Sequence, residues 1–181
     1  MSDVNEPIDP TAFGLFFVAV VSLPIAMVCI LTYAGVENHI LDSASPGGLS
    51  YLGALLGICA IFILISALKA YKAGSNFGFT VLGLVAMGVF FAGVHGGDLY
   101  INLTLGIIYL LTMVWSIRIG TPKILTVILI TTSLIFIFGG INANTGAVDI
   151  WLLLKGIVAM ANFLLSAYLA MALVDEKLPV I

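Results

Sequence analysis

Between Asp42 and Lys69 the chain runs from residue 43 to residue 68 without an Asp, Glu, Lys or Arg, and after Lys72 it does so again from 73 to 97. Each run is long enough to cross a hydrocarbon layer of about 30 Å as a helix of roughly 20 residues. The short stretch between them carries Lys69 and Lys72 and then Gly74-Ser75-Asn76. Two spans joined by a tight polar turn account for that pattern: Gly74 supplies turn freedom, and Ser75 or Asn76 can cap the first free N–H groups of the next helix. Composition extends this reading to the whole chain. Of 181 residues, 62% are hydrophobic and 8% charged, with a mean hydropathy of +1.25. A soluble domain could not cover that much apolar surface, so the chain reads as an all-α, multi-pass integral protein of the plasma membrane (the cell inner membrane), with the lipid bilayer as its first partner.

Taken in order, residues 1–11 form a polar N-terminal segment that lacks a basic signal-peptide start, so the first span is expected to be retained. Six spans follow within 12–174, at about 12–34, 49–71, 76–94, 99–118, 124–141, and from near Asp149 to just before Asp175. A tail occupies 175–181. Pro24 falls inside the first span, where it removes a backbone bond and usually kinks the helix. Gly53 and Gly57 give the second span a GxxxG spacing that permits close helix contact. Asn142-Ala143-Asn144-Thr145-Gly146 reads as a connection after the fifth span.

Charge sets the orientation. Lys69, Lys72, Arg118, Lys123 and Lys177 fall on one side, whereas the opposite loops hold Glu37, Asp42, Asp98, Asp149, His39 and His95. Cationic residues accumulate on cytoplasmic loops, so both termini are expected in the cytoplasm. Tyr33, Tyr51, Tyr100 and Trp151 at one boundary, with Tyr71 and Trp115 at the other, agree with interfacial aromatic belts.

Groups capable of catalysis are scarce. His95 and Asp98 alone make a poor metal site, and no His, Cys or carboxylate cluster stands at ligand spacing. The hydroxyls inside spans form no nucleophile–base pair. We therefore expect no enzyme, no metal and no cofactor, and with no basic patch, no nucleic-acid partner. Cys29 and Cys59 sit in apolar runs as small packing residues. The Asn102-Leu103-Thr104 sequon lies in a span and is expected to be inert. None of the nine carboxylates lies deep in a span, which removes the buried acidic relay that proton pumps use. What the spans do hold is weakly polar: Thr126, Thr131, Thr132 and Ser133 in the fifth, and Lys155, Ala159, Asn162 and Ser166 on one face of the sixth. Lys155 is the exception. It either attracts an anion from about two turns below the outer surface, or snorkels to that surface.

Tyr71-Lys72-Ala73-Gly74-Ser75-Asn76-Phe77-Gly78-Phe79-Thr80 resembles the loop between spans two and three of the acetate uptake transporter family, the succinate–acetate permeases. Three further segments keep that family's order. Asp9-Pro10-Thr11-Ala12-Phe13-Gly14-Leu15 is similar to its Asn-Pro-Ala-Pro-Leu-Gly-Leu signature, with Asp and Ala in place of the first Asn and the second Pro. Arg118-Ile119-Gly120, with the fifth span ending in Asn142, matches in spacing. Ala167-Tyr168-Leu169-Ala170-Met171 and the Leu178-Pro179 tail are similar to its C-terminal end. Pro10, Gly14, Asn76, Phe77, Gly78 and Asn142 are the structural positions this resemblance marks.

The resemblance implies a homohexamer in which each protomer encloses its own pathway for acetate and related monocarboxylates, with proton symport as one mode of entry. It also implies an apolar constriction of a Phe, a Tyr and a Leu on spans one, three and five. The corresponding positions here are Val18 (with Phe17 beside it), Val85, and Thr131 or Thr132. Together with Lys155 and Asn162 these are the candidate pathway residues. A channel for a small neutral solute such as urea, ammonia or water, and a non-transporting scaffold or sensor subunit, are the alternative readings.

Overall fold

The computed structural model describes residues 10–36, 50–95, 98–145, 150–175 and 177–180. The expectations for most of the N-terminal segment and for the His39 loop lie outside these residues. Six helices follow one another: α1 (Pro10–Tyr33), α2 (Tyr51–Lys72), α3 (Asn76–His95), α4 (Leu99–Ile119), α5 (Lys123–Thr145) and α6 (Ile150–Ala172). All six are long and apolar enough to cross a membrane. With 20 to 24 residues they measure roughly 30–36 Å, the thickness of a hydrocarbon core.

Local signals explain where the helices begin and end. Pro10 opens α1, a position where its missing N–H costs nothing. Ser50 Oγ accepts from the Gly53 N–H at 2.9 Å and starts α2. Gly74 turns the chain at φ +83°, and Ser75, rather than Asn76, caps α3 by accepting from the Gly78 N–H at 3.0 Å. Asp98 Oδ1 takes the Tyr100 and Ile101 N–H groups at 2.8 and 3.1 Å to start α4. Gly120, left-handed at φ 70°, ends it. Each such cap is worth about 1 kcal/mol. The boundaries lie within about two residues of the sequence reading except at the end of α5. Helix α1 starts at Pro10 instead of 12. Helix α5 runs on to Thr145, so Asn142 is a helical residue and not part of a connection. The apolar run fades near 141, but the helix continues with its polar last turn, where Thr145 Oγ1 bonds the Asn142 carbonyl at 3.1 Å.

The helices form a ring. Packing is heaviest between α1 and α6, α2 and α3, and α4 and α5; α5 meets α6, α1 meets α2, and the seam between α3 and α4 is thin. Inside the ring, Val18, Ile63, Val85, Tyr109, Leu129 and Phe136 belong to one apolar cluster. Outside it, Ile58, Ile61, Leu111, Ile117 and Leu164 are more than half exposed. A helix apolar all round is buried on one side and faces lipid or another apolar surface on the other.

The GxxxG segment of α2 makes a close contact with α3 through Gly93, which lies over the backbone of Gly53 and Gly57. A Cβ on Gly53 would lie 2.6 Å from the Gly93 carbonyl oxygen, and a Cβ on Gly93 would lie 2.7 Å from the Gly53 carbonyl oxygen. The two backbones touch there. Gly57 contributes its backbone N, 3.3 Å from the Cβ that Gly93 would carry, while a Cβ on Gly57 itself would have nothing within 4 Å. Gly14 also sits at a crossing: a Cβ there would meet Leu82 at 2.9 Å and Ser66 at 3.1 Å.

Candidate functional site

Two cavities lie within the ring. One, of about 220 Å³, reaches the end that carries the Ser75 and Thr121 turns and is walled by Leu15, Phe77, Val81, Leu125 and Leu169 among others. The other, of about 150 Å³, lies toward the opposite end, with Val21, Val89 and Phe136 as apolar wall and Asn102, Asn142 and Lys155 as polar wall. Three residues line both cavities: Val18 of α1, Val85 of α3 and Thr132 of α5. They are 3%, 6% and 5% exposed, so two isopropyl groups and one Thr side chain form a tightly packed collar on the border that the two cavities share.

Asn162 of α6 supports that collar. Its side chain is 2% exposed and bonds in four directions. Nδ2 donates to Ser22 Oγ at 3.2 Å and to Thr132 Oγ1 at 3.4 Å. Oδ1 accepts from Thr131 Oγ1 at 3.0 Å and from Ser166 Oγ at 3.5 Å. One side chain thus ties α1, α5 and α6 together at mid-span, where each interhelical hydrogen bond is worth about 0.6 kcal/mol. Ser22 Oγ passes its own hydrogen to the Val18 carbonyl at 2.7 Å. Thr132 accepts from Asn162 and has no described acceptor of its own, so its O–H is left to the cavities it lines.

Adjacent residues divide between lumen and wall, because successive helical positions point about 100° apart. Val18 lines the cavities, while Phe17 turns away and stacks on Phe62 of α2 at 4.7 Å. Thr132 lines them, while Thr131 faces Asn162. Phe17 and Thr131 are therefore wall residues in this structure, not lining ones. Lys155 leans along α5, its Cε and Nζ 3.4 and 3.5 Å from where a Cβ on Gly139 would be, and it borders the 150 Å³ cavity. Asn142 borders the same cavity, with Oδ1 buried and without a partner. The other buried side-chain oxygen in that condition among the described residues, Tyr109 Oη, lines neither cavity. Phe77 borders the larger cavity and packs edge-on against Trp115 at 5.1 Å. No described Asp or Glu lines either cavity. Asp98 serves as a helix cap, and His95 lies over the Phe91 ring at 6.1 Å.

Sequence reasoning passed over Asn102 and Ser22. Asn102, read only as a sequon inside a span, lines the smaller cavity. A lone Asn or Ser in an apolar run is itself the signal, since its polar group needs a partner in hydrocarbon.

No family model matches the sequence, and no curated protein matches it. Among solved structures, that of the bacterial acetate channel SatP matches with a TM-score of 0.67, covering 97% of this chain and 100% of that one at 18% identity. This chain has the fold of SatP. It is an all-helical six-span protein of that architecture, and the fold agrees with the one implied by the sequence resemblance. The low identity is in keeping with the helices themselves: where every face is apolar, one aliphatic residue replaces another with little cost as long as volume is kept.

Proposed function

We propose that the chain conducts small monocarboxylates, acetate foremost, across the plasma membrane as a divergent member of the acetate uptake transporter family. One observation carries the reading: two cavities meet at a collar of Val18, Val85 and Thr132 inside a chain with the fold of an acetate channel. The collar sets the chemistry. A carboxylate forced through two Val side chains loses its hydration, at a cost of several kcal/mol for an unpaired ion. The single group that offsets this is the Thr132 hydroxyl. A neutral acid crosses the same collar at far lower cost, so the proton travels on the substrate, and no lining carboxylate is needed to carry it.

The Lys- and Arg-bearing end, with both chain termini, faces the cytoplasm by the distribution of cations. The smaller cavity is then the outer vestibule, where the Lys155 ammonium raises the local concentration of carboxylate. The apolar outer faces of the helices are shared between lipid and neighbouring copies in a homohexamer. Radiolabelled acetate uptake into proteoliposomes at acidic external pH tests the function. Uptake above that of protein-free liposomes is expected, and parity with them overturns it. Stopped-flow swelling against urea and glycerol separates this reading from a neutral-solute channel, which would pass those solutes, and from a scaffold, which would pass nothing.

A further inference from the structure

The larger cavity is itself amphipathic. At the end that carries the helix turns stand three hydroxyl residues, Thr11, Ser75 and Thr121, and Ser75 is exposed, so this rim meets water. Deeper in, the wall is aliphatic, with Leu15, Val81, Leu129 and Leu169 among its members, and it runs up to the collar at Val18 and Val85. Thr132 in the collar is the other polar side chain that lines it. No charged residue among the described ones does so, whereas the smaller cavity has Lys155.

The depth of the cavity sets the size of a ligand. An apolar cavity of about 150 Å³ stays dry and takes up a six-carbon ring. A volume of about 220 Å³ therefore has room for about nine heavy atoms. Acetate leaves about half of that empty, and hexanoate, about twice the size, fills it.

The rim sets the other end of the ligand. Helices α1, α3 and α5 start there, at Pro10, Asn76 and Lys123. The positive ends of three helix dipoles thus surround the opening and favour a negative head group over a neutral one. A carboxylate left at the rim also keeps its water, while one drawn down to the collar would lose it unpaired. Alkyl chain inward and carboxylate at the rim is the orientation that satisfies both halves of the cavity.

We infer that this cavity is a binding site for straight-chain monocarboxylates of the size of pentanoate and hexanoate, and that an acid so held obstructs the pathway. Permeation requires binding weak enough for release. A chain of this length is held along its whole aliphatic wall and ends against the two Val side chains of the collar. The site is defined by binding; only its effect on flux rests on the proposed acetate conduction.

Photolabelling of the full chain in lipid nanodiscs with a diazirine-bearing pentanoate locates the site, and labelled peptides are expected to contain Val81, Leu125 or Leu169. Competition by unlabelled acids, at free concentrations fixed by dialysis, should strengthen about fourfold per methylene from acetate to hexanoate, the gain from burying one CH₂. It should stop strengthening at octanoate. That cut-off separates the cavity from the bilayer, where each further methylene keeps adding to uptake. Pentan-1-ol has the alkyl chain of hexanoate without the charge and should compete roughly fivefold more weakly. Val81→Phe fills the depth and should flatten the series; Leu125→Phe, nearer the rim, gives the same readout if the first variant fails to fold. Hexanoate should slow radiolabelled acetate uptake into proteoliposomes more in the wild type than in either variant, and equal slowing overturns the obstruction. A flat series in the wild type overturns the site, as does a rise that continues through octanoate, equal competition by pentan-1-ol, or a rise that survives both variants. Acetate uptake with a flat series leaves the proposed function standing and removes only this inference. A series with the cut-off but no acetate uptake does the reverse.

Discussion

Thr132→Val tests the collar most directly, because it removes one hydroxyl and keeps the shape. In the wild type the Thr132 Oγ1 accepts from Asn162 Nδ2 at 3.4 Å, and its own hydrogen is available to whatever passes between the two cavities. Structural damage from the change is small. Asn162 loses its longest Nδ2 bond and keeps the one to Ser22 at 3.2 Å, a cost of about 0.6 kcal/mol. The loss to a permeating molecule depends on its charge. A hydrogen bond to a neutral acceptor is worth about 0.5–1.5 kcal/mol, and one to an ion about 1.5–3 kcal/mol. If the collar is the barrier, flux falls roughly 2- to 13-fold for a neutral acid and roughly 13- to 160-fold for an anion. The proposed neutral-acid route requires the smaller range. Initial rates of radiolabelled acetate uptake into proteoliposomes give the answer, with Thr131→Val as the matched control. Thr131 bonds Asn162 but lines neither cavity, so its loss should lower thermal stability and leave the rate near that of wild type. Unchanged or faster flux in Thr132→Val, or equal slowing in both variants, refutes the collar.

Other outcomes follow from the same geometry. Gly93→Ala sets a Cβ against the Gly53 carbonyl oxygen and should cost about 1–3 kcal/mol in unfolding experiments in detergent, while Gly57→Ala, with open space around it, should stay within about 0.5 kcal/mol; equal effects would contradict the α2–α3 contact. Val85→Tyr narrows the collar and should slow propionate more than acetate, whereas equal slowing of both would place the narrowest point elsewhere. Asn144→Cys should react with an impermeant thiol reagent added outside and Ala73→Cys should not; the opposite pattern would invert the proposed orientation.

The amino-acid sequence carries some features of this protein openly and others not at all. Hydropathy alone specifies six spans, because the thickness of a hydrocarbon layer leaves few ways to arrange apolar runs of this length. The turns are equally plain. Gly74-Ser75 and Asp98 carry the left-handed freedom and the capping oxygens that end one helix and begin another. The polar last turn of α5 is not, since Asn142-Ala143-Asn144-Thr145 suits a loop as well as a helix end.

The lumen belongs to the tertiary structure. In a soluble helix the polar face announces itself by its period, but here both faces are apolar, so the pattern does not distinguish Phe17 from Val18 or Thr131 from Thr132. Only the packing of α1 on α6 and of α5 on both its neighbours turns Val18 and Thr132 inward and leaves Phe17 on Phe62. The same holds for the glycines. The spacing of Gly53 and Gly57 is visible in the sequence, but the partner that touches Gly53 is Gly93, on the next helix. That contact exists because two helices cross there, a fact of rotation and register that no local run of residues contains.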